Sequence, residues 1–161
     1  VHVPVVLIPT TVVVAIVFMV KPKWLTRYGT ALALVSILAM SSIFLTMQAG
    51  AALRGALNLQ GQAATLISEH SHAAHILAIV YVLFTATLIV TFAARRISSG
   101  MPTGLRILDE LLSSKALFSV LRALLVLLAI VTSYMVFRTG DLGAKAVWEG
   151  RLQAAHVGFR R

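Results

Sequence analysis

Four long apolar runs decide what this chain can fold into. They cover about residues 3–20, 28–53, 72–94 and 116–137, and among Asp, Glu, Lys and Arg only Arg122 falls inside them. A helix needs about 20 apolar residues to cross a hydrocarbon core about 30 Å thick, and each run reaches that length, the first narrowly. Lipid offers no hydrogen bonds, so a segment inside it must satisfy its own backbone, which an α-helix does. The expected fold is therefore all-α, an integral membrane four-helix bundle. Pro4 and Pro9 should tilt or kink the first turns of the first span.

Composition agrees and narrows the chemistry. Of 161 residues, 59% are hydrophobic and only 12% charged, with a mean hydropathy of +0.93. A soluble domain carries about 25% charged residues, so an ordinary water-soluble globule is excluded. Cysteine is absent, which removes disulfides, thiolate zinc sites, Cys-ligated iron–sulfur clusters and covalent c-type haem. Any metal or haem must rely on His, Met or oxygen ligands. The net charge of +9 reports, in a membrane chain, on topology and on attraction to anionic lipid rather than on nucleic acid.

The connections carry the rest of the organisation. Between the third and fourth spans, residues 103–115 set Leu105, Leu108 and Leu112, with Ile107 and Leu111, opposite Arg106, Asp109 and Glu110. That spacing predicts an amphipathic helix lying in the interface. The polar tail, residues 139–161, with isolated Val147, Trp148, Leu152 and Phe159, reads as a surface-lying segment. Gly140 and Gly143 at its start are expected to cap the fourth span in the left-handed conformation. Residues 1–161 form one domain.

Orientation follows from Lys and Arg. Eight of them (Lys21, Lys23, Arg27, Arg95, Arg96, Arg106, Lys115, Arg122) fall on one side, against six (Arg54, Arg138, Lys145, Arg151, Arg160, Arg161) on the other. The positive-inside bias places both termini of this multi-pass membrane protein outside the cytoplasm. The first residue is Val1, which leaves room for an upstream segment. Small-residue faces such as Ser41-Ser42 and Gly50-Ala51-Ala52 in the second span, with the interfacial helix and the tail, predict a hetero-oligomer with other membrane-complex subunits and contacts to anionic lipids.

His2, His70, His72 and His75 fall at the starts of the first and third spans, which an up-down-up-down topology brings to one side. Met47, Gln48, Glu69, Met135 and Asp141 reach the same level. His72 and His75 are three apart and share a helix face. Imidazole is the common axial ligand of b-type haem, and imidazole with thioether suits Cu(I). Two ligand sets follow. Haem b would use His2, His72 and His75; copper would use His2, His70, His72 and His75 with Met47 and Met135. The plain alternative is interfacial histidines bonded to water, headgroups or backbone with no cofactor, and His156 is read that way. No phosphate loop, nucleophile elbow or zinc-protease motif occurs. All five acidic residues lie outside the spans, so carboxylate acid/base chemistry is not expected and a non-catalytic subunit or electron carrier is.

The segment from Tyr134 through Phe137-Arg138-Thr139-Gly140-Asp141-Leu142-Gly143 to Trp148 resembles the closing signature of the DUF2231 family of predicted bacterial four-helix membrane proteins, a Tyr/Phe-Arg-x-Gly-x-x-Gly stretch after the last span. His2-Val3-Pro4 is similar to the family's His-Pro start with one residue inserted, and His72 to its histidine at the head of the third span. The family's Gly-x-x-Asp near the end of the second span has no counterpart here, where Met47-Gln48-Ala49-Gly50 stands. Relatives joined to Rieske or cytochrome-like domains imply an electron-transfer neighbourhood, with haem b or a metal between His2 and His72. The expected function is a small membrane subunit of an electron-transfer or respiratory complex. A cofactor-free accessory subunit and a copper-handling protein are the alternatives.

Overall fold

The computed structural model describes residues 2–56, 61–101, 104 and 106–158, with side chains for all of these except His2, Arg106, Leu108 and residues 150–158. Five helices follow one another: α1 (His2–Val20), α2 (Pro22–Ala56), α3 (Gly61–Ser98), α4 (Arg106–Leu112) and α5 (Lys115–Gly158). Four of them, all but α4, are long and apolar enough to cross a membrane. The all-α, four-span architecture read from hydropathy is the one observed.

The breaks have local causes. Lys21 alone separates α1 from α2; its N–H closes α1 on Val17 O at 2.9 Å, and Pro22, which has no N–H to leave unpaired, opens α2. The turn after α3 carries Gly100 at φ +90°, where Met101 N–H reaches back to Arg96 O at 3.1 Å. Such a left-handed cap favours glycine because it has no Cβ. In the short α4, Leu112 is buried with Ala94 and Leu121, while Ile107 and Leu111 stay exposed. That division suits a helix with one side on the bundle and the other toward the interface.

The long helices form a ring in the order α1, α2, α3, α5, each packed on its two neighbours, with alternating directions. At one end, here called the tail end, α1 and α3 begin while α2 and α5 finish. The other end holds the α1–α2 corner and α4. The shared core takes Ile8 and Val12 from α1, Leu32 and Ile43 from α2, Leu77, Tyr81, Phe84 and Leu88 from α3, and Leu125 and Met135 from α5. α2 and α3 approach closely at Gly29: a Cβ there would stand 2.2 Å from Phe92 Cδ2. Only hydrogen fits beneath that ring.

Hydroxyls bridge the middle of the bundle. Thr11 Oγ1 donates to Ile8 O at 2.8 Å, which leaves it to accept from Tyr81 Oη, also at 2.8 Å. Ser36 Oγ lies 3.2 Å from Tyr81 Oη and 3.0 Å from Thr85 Oγ1. All four residues are buried, and the chain of bonds ties α1, α2 and α3 together at mid-span. Interhelical polar contacts of this kind hold helices together where hydrocarbon removes the hydrophobic drive.

Two boundaries differ from the sequence expectation. α3 begins at Gly61, well before the apolar run, and within the polar stretch Ala63 is buried and Ile67 half-buried. α5 runs on through Arg138 to Gly158, because Leu142 packs on the core and Ala146 is buried one turn later. Gly140 and Gly143 therefore sit inside α5 without positive φ, and the C-cap reading of them is corrected. The tail is helical and continuous with the last span as far as it is described.

Candidate functional site

At the tail end the four long helices leave a cleft of about 170 Å³. Pro4, Val5 and Ile8 line it from α1, Ile43, Thr46 and Met47 from α2, His70, Ala74 and Leu77 from α3, and Val136, Thr139 and Gly140 from α5. Among the described residues no carboxylate borders it, and His70 is the one titratable side chain that does. The extension of α3 matters here: it turns the histidine segment from a helix start into a stretch held from both sides by regular backbone, so each histidine has a fixed phase.

That phase separates the three histidines of α3. His70 is half-buried and faces α5, whereas His72 and His75 are exposed and do not line the cleft. His75 Nδ1 donates to Ser71 O in the preceding turn at 2.7 Å. His70 Nδ1 lies 2.9 Å from Thr139 O; a carbonyl can only accept, so the ring donates from Nδ1. When neutral it keeps its lone pair on Nε2. A second-sphere carbonyl fixing one ring nitrogen while the other stays free is the usual support of a metal-binding imidazole.

α5 makes room for that ring. A Cβ at Gly143 would stand 3.1 Å from His70 Cε1 and 3.2 Å from its Nδ1, so the imidazole lies against the bare backbone of Gly143. Gly140, one turn earlier, borders the cleft, and a Cβ there would meet nothing within 4 Å. Between them in the chain, Asp141 pairs with Lys145 at 2.7 Å on the exposed side. Thr139 contributes twice: its carbonyl takes the His70 proton, and its buried Oγ1 has no hydrogen-bond partner. A buried hydroxyl with unused capacity beside a cleft marks a place for a water or ligand atom.

The sequence-derived site residues distribute as follows. His70 and Met47 line the cleft together, and Met135 is buried in the core against which Met47 packs. His72 and His75 face outward, as does Glu69. The side chains of His2 and His156 lie outside the described residues. Among the described residues no group of three or more His, Asp or Glu side chains is placed to hold one metal ion. Thr139, Gly140 and Gly143 join the site only through the packing of α5 on α3. Their signal was present as Gly-x-x-Gly inside a helical stretch, which reads equally as a cap until the neighbour of each glycine is known.

The cleft itself is small for a haem. Small-molecule sites begin at about 300 Å³, the cleft offers about 170 Å³, and His72 and His75 are not among its walls. His70 and Met47 put an imidazole and a thioether on the walls of one apolar cleft, a pair of donors that suits a soft, low-charge ion.

A family model for predicted membrane proteins, DUF2231, matches residues 1–156. The chain belongs to this family. No curated protein and no solved structure matches it.

Proposed function

We propose that this member of the DUF2231 family is a non-catalytic membrane subunit that binds one soft metal ion, Cu(I) by its donor chemistry, in the tail-end cleft. His70 Nε2 and Met47 Sδ are its protein ligands, and the orphan Thr139 hydroxyl holds a water or third donor. The observation that carries the reading is the His70 ring, fixed through Nδ1 on Thr139 O and seated on Gly143, with the other nitrogen unengaged among the described residues. A metal bound there would supply one-electron redox chemistry, which agrees with a place in an electron-transfer or respiratory assembly. The weak excess of basic residues at the corner end supports a tail end, and a cleft, on the outer face of the bacterial inner membrane.

A cofactor-free accessory role is the second reading. Gly50 and Gly55 on exposed turns of α2 have open space where a Cβ would be, and such small faces admit another helix closely. Titration of the detergent-purified protein with Cu(I) against a coloured Cu(I) chelator separates the two. One equivalent should transfer to the protein, and His70→Ala or Met47→Leu should return it to the chelator. No transfer to the parent protein would leave the accessory reading standing. An optical spectrum, reduced minus oxidised, should show no haem band.

A further inference from the structure

The corner end holds a second, chemically different cavity. It measures about 590 Å³ and is walled by Phe18, Lys23, Trp24, Arg27 and Tyr28, which places it within the size range of small-molecule sites. Phe18, buried at the end of α1, forms the floor; Trp24 meets it edge-on at 6.3 Å and 84°, and Tyr28 lies 6.4 Å away. Both outer rings remain about half exposed, Trp24 at 44% and Tyr28 at 46%.

Charge defines what this cavity wants. Lys23 and Arg27 are exposed and four residues apart, on one side of α2. Like charges at that spacing repel and destabilise a helix unless an anion lies between them. Among the described residues no ion pair joins either one to a carboxylate; the pair observed is Lys145 with Asp141, at the opposite end of the molecule. The acidic residues of the corner end, Asp109 and Glu110, belong to α4, which packs chiefly on α3 and α5. The rings are held by cations as well, Lys21 Nζ at 4.6 Å from the centre of Trp24 and the Arg27 guanidinium at 5.3 Å from Tyr28.

Position identifies the source of the anion. The cavity sits where the first two spans leave the hydrocarbon, at the level where Trp and Tyr gather and where basic pockets between spans take lipid headgroups. We infer that the α1–α2 corner is a binding site for the phosphate headgroup of an anionic phospholipid, held by Lys23 and Arg27, with its glycerol and upper acyl carbons against Trp24, Tyr28 and Phe18. Arg27 can present two parallel donors to the phosphate, and Lys23 adds a point charge. This site is independent of the tail-end cleft.

Trp24 reports on it directly. The chain has two tryptophans, so a Trp148→Phe background isolates the Trp24 emission, read from the full-length protein in phosphatidylcholine vesicles. Brominated phosphatidylglycerol should quench it with an apparent affinity about twenty-fivefold above that of brominated phosphatidylcholine, from about fivefold per basic side chain at an anionic surface. Lys23→Gln with Arg27→Gln should bring the two lipids to parity. Lys23→Gln alone, a change at one exposed side chain, should lower the preference about fivefold. Arg96→Gln, at an exposed cation of the same end outside the cavity, should leave it unchanged. Parity in the parent overturns the site, and so does an equal loss in Arg96→Gln, which would mean diffuse surface charge. Displacement of the lipid by millimolar inorganic phosphate would assign the cavity to a soluble anion and overturn the lipid assignment.

Discussion

The hydroxyl chain at mid-span and the tail-end cleft use similar side chains to opposite ends. At mid-span, Thr11, Tyr81, Ser36 and Thr85 bond to one another across three helices, so these four hydroxyls all have partners, unlike Thr132 Oγ1, which is buried on α5 without one. At the tail end, His70 is fixed through one nitrogen and Thr139 Oγ1 is buried with no partner at all. An unpaired polar group is costly deep in hydrocarbon and cheaper near the interface, where water reaches. The first region spends its polarity on cohesion. The second keeps polarity in reserve, which is what a binding site requires.

That contrast can be broken by experiment, and the largest effect should come from mid-span. Tyr81→Ala removes a fully buried ring stacked at 5.6 Å on Phe84 together with the central hydroxyl, and should cost about 3–5 kcal/mol in reversible unfolding from detergent micelles. The molecules that remain folded should still take up Cu(I) with parental affinity; if they do not, the two regions are one unit. His70→Ala should do the reverse. Copper affinity should fall about a hundredfold, about 2.7 kcal/mol, with unfolding stability nearly unchanged because the ring is only half-buried.

The two glycines of α5 sharpen the comparison further. Gly143→Ala puts a methyl group 3.1 Å from His70 Cε1, so the ring must shift, and copper affinity should drop about tenfold, as for loss of an outer-sphere support. Gly140→Ala meets open space and should instead stabilise α5 by about 0.5–1 kcal/mol through helix propensity. Equal behaviour of the two would show that packing against His70 has no consequence. The smallest effect belongs to His72→Ala, an exposed residue outside the cleft walls. Copper content should be unchanged, and a loss there would move the site to the outer face of α3.

How much of this was legible beforehand depended on the kind of signal. The spans at 3–20 and 116–137 fall within α1 and α5, since apolar length alone forces them. The residues before His72 were less legible. Gly61 to Glu69 reads as polar composition, yet Ala63 and Ile67 give it one face to bury, and a weak stripe of small residues is lost among Gln, Ser and Thr. The histidines show the same limit at finer scale. Their side of the membrane followed from topology, but which of His70, His72 and His75 faces inward turns on a rotation of about 100° per residue about the helix axis.

The sequence by itself determined the number of spans, their alternation and the crowding of histidine at one end. It did so because transfer into lipid is additive along a run and needs no knowledge of neighbours. Tertiary structure alone decided that His70 rather than His72 enters the bundle, that Gly143 is a seat for its ring instead of a helix cap, and that Thr139 is the carbonyl it meets. Those outcomes depend on the relative rotation of α3 and α5. Rotation is set by the fit of one surface to another, and no single segment of chain contains that information.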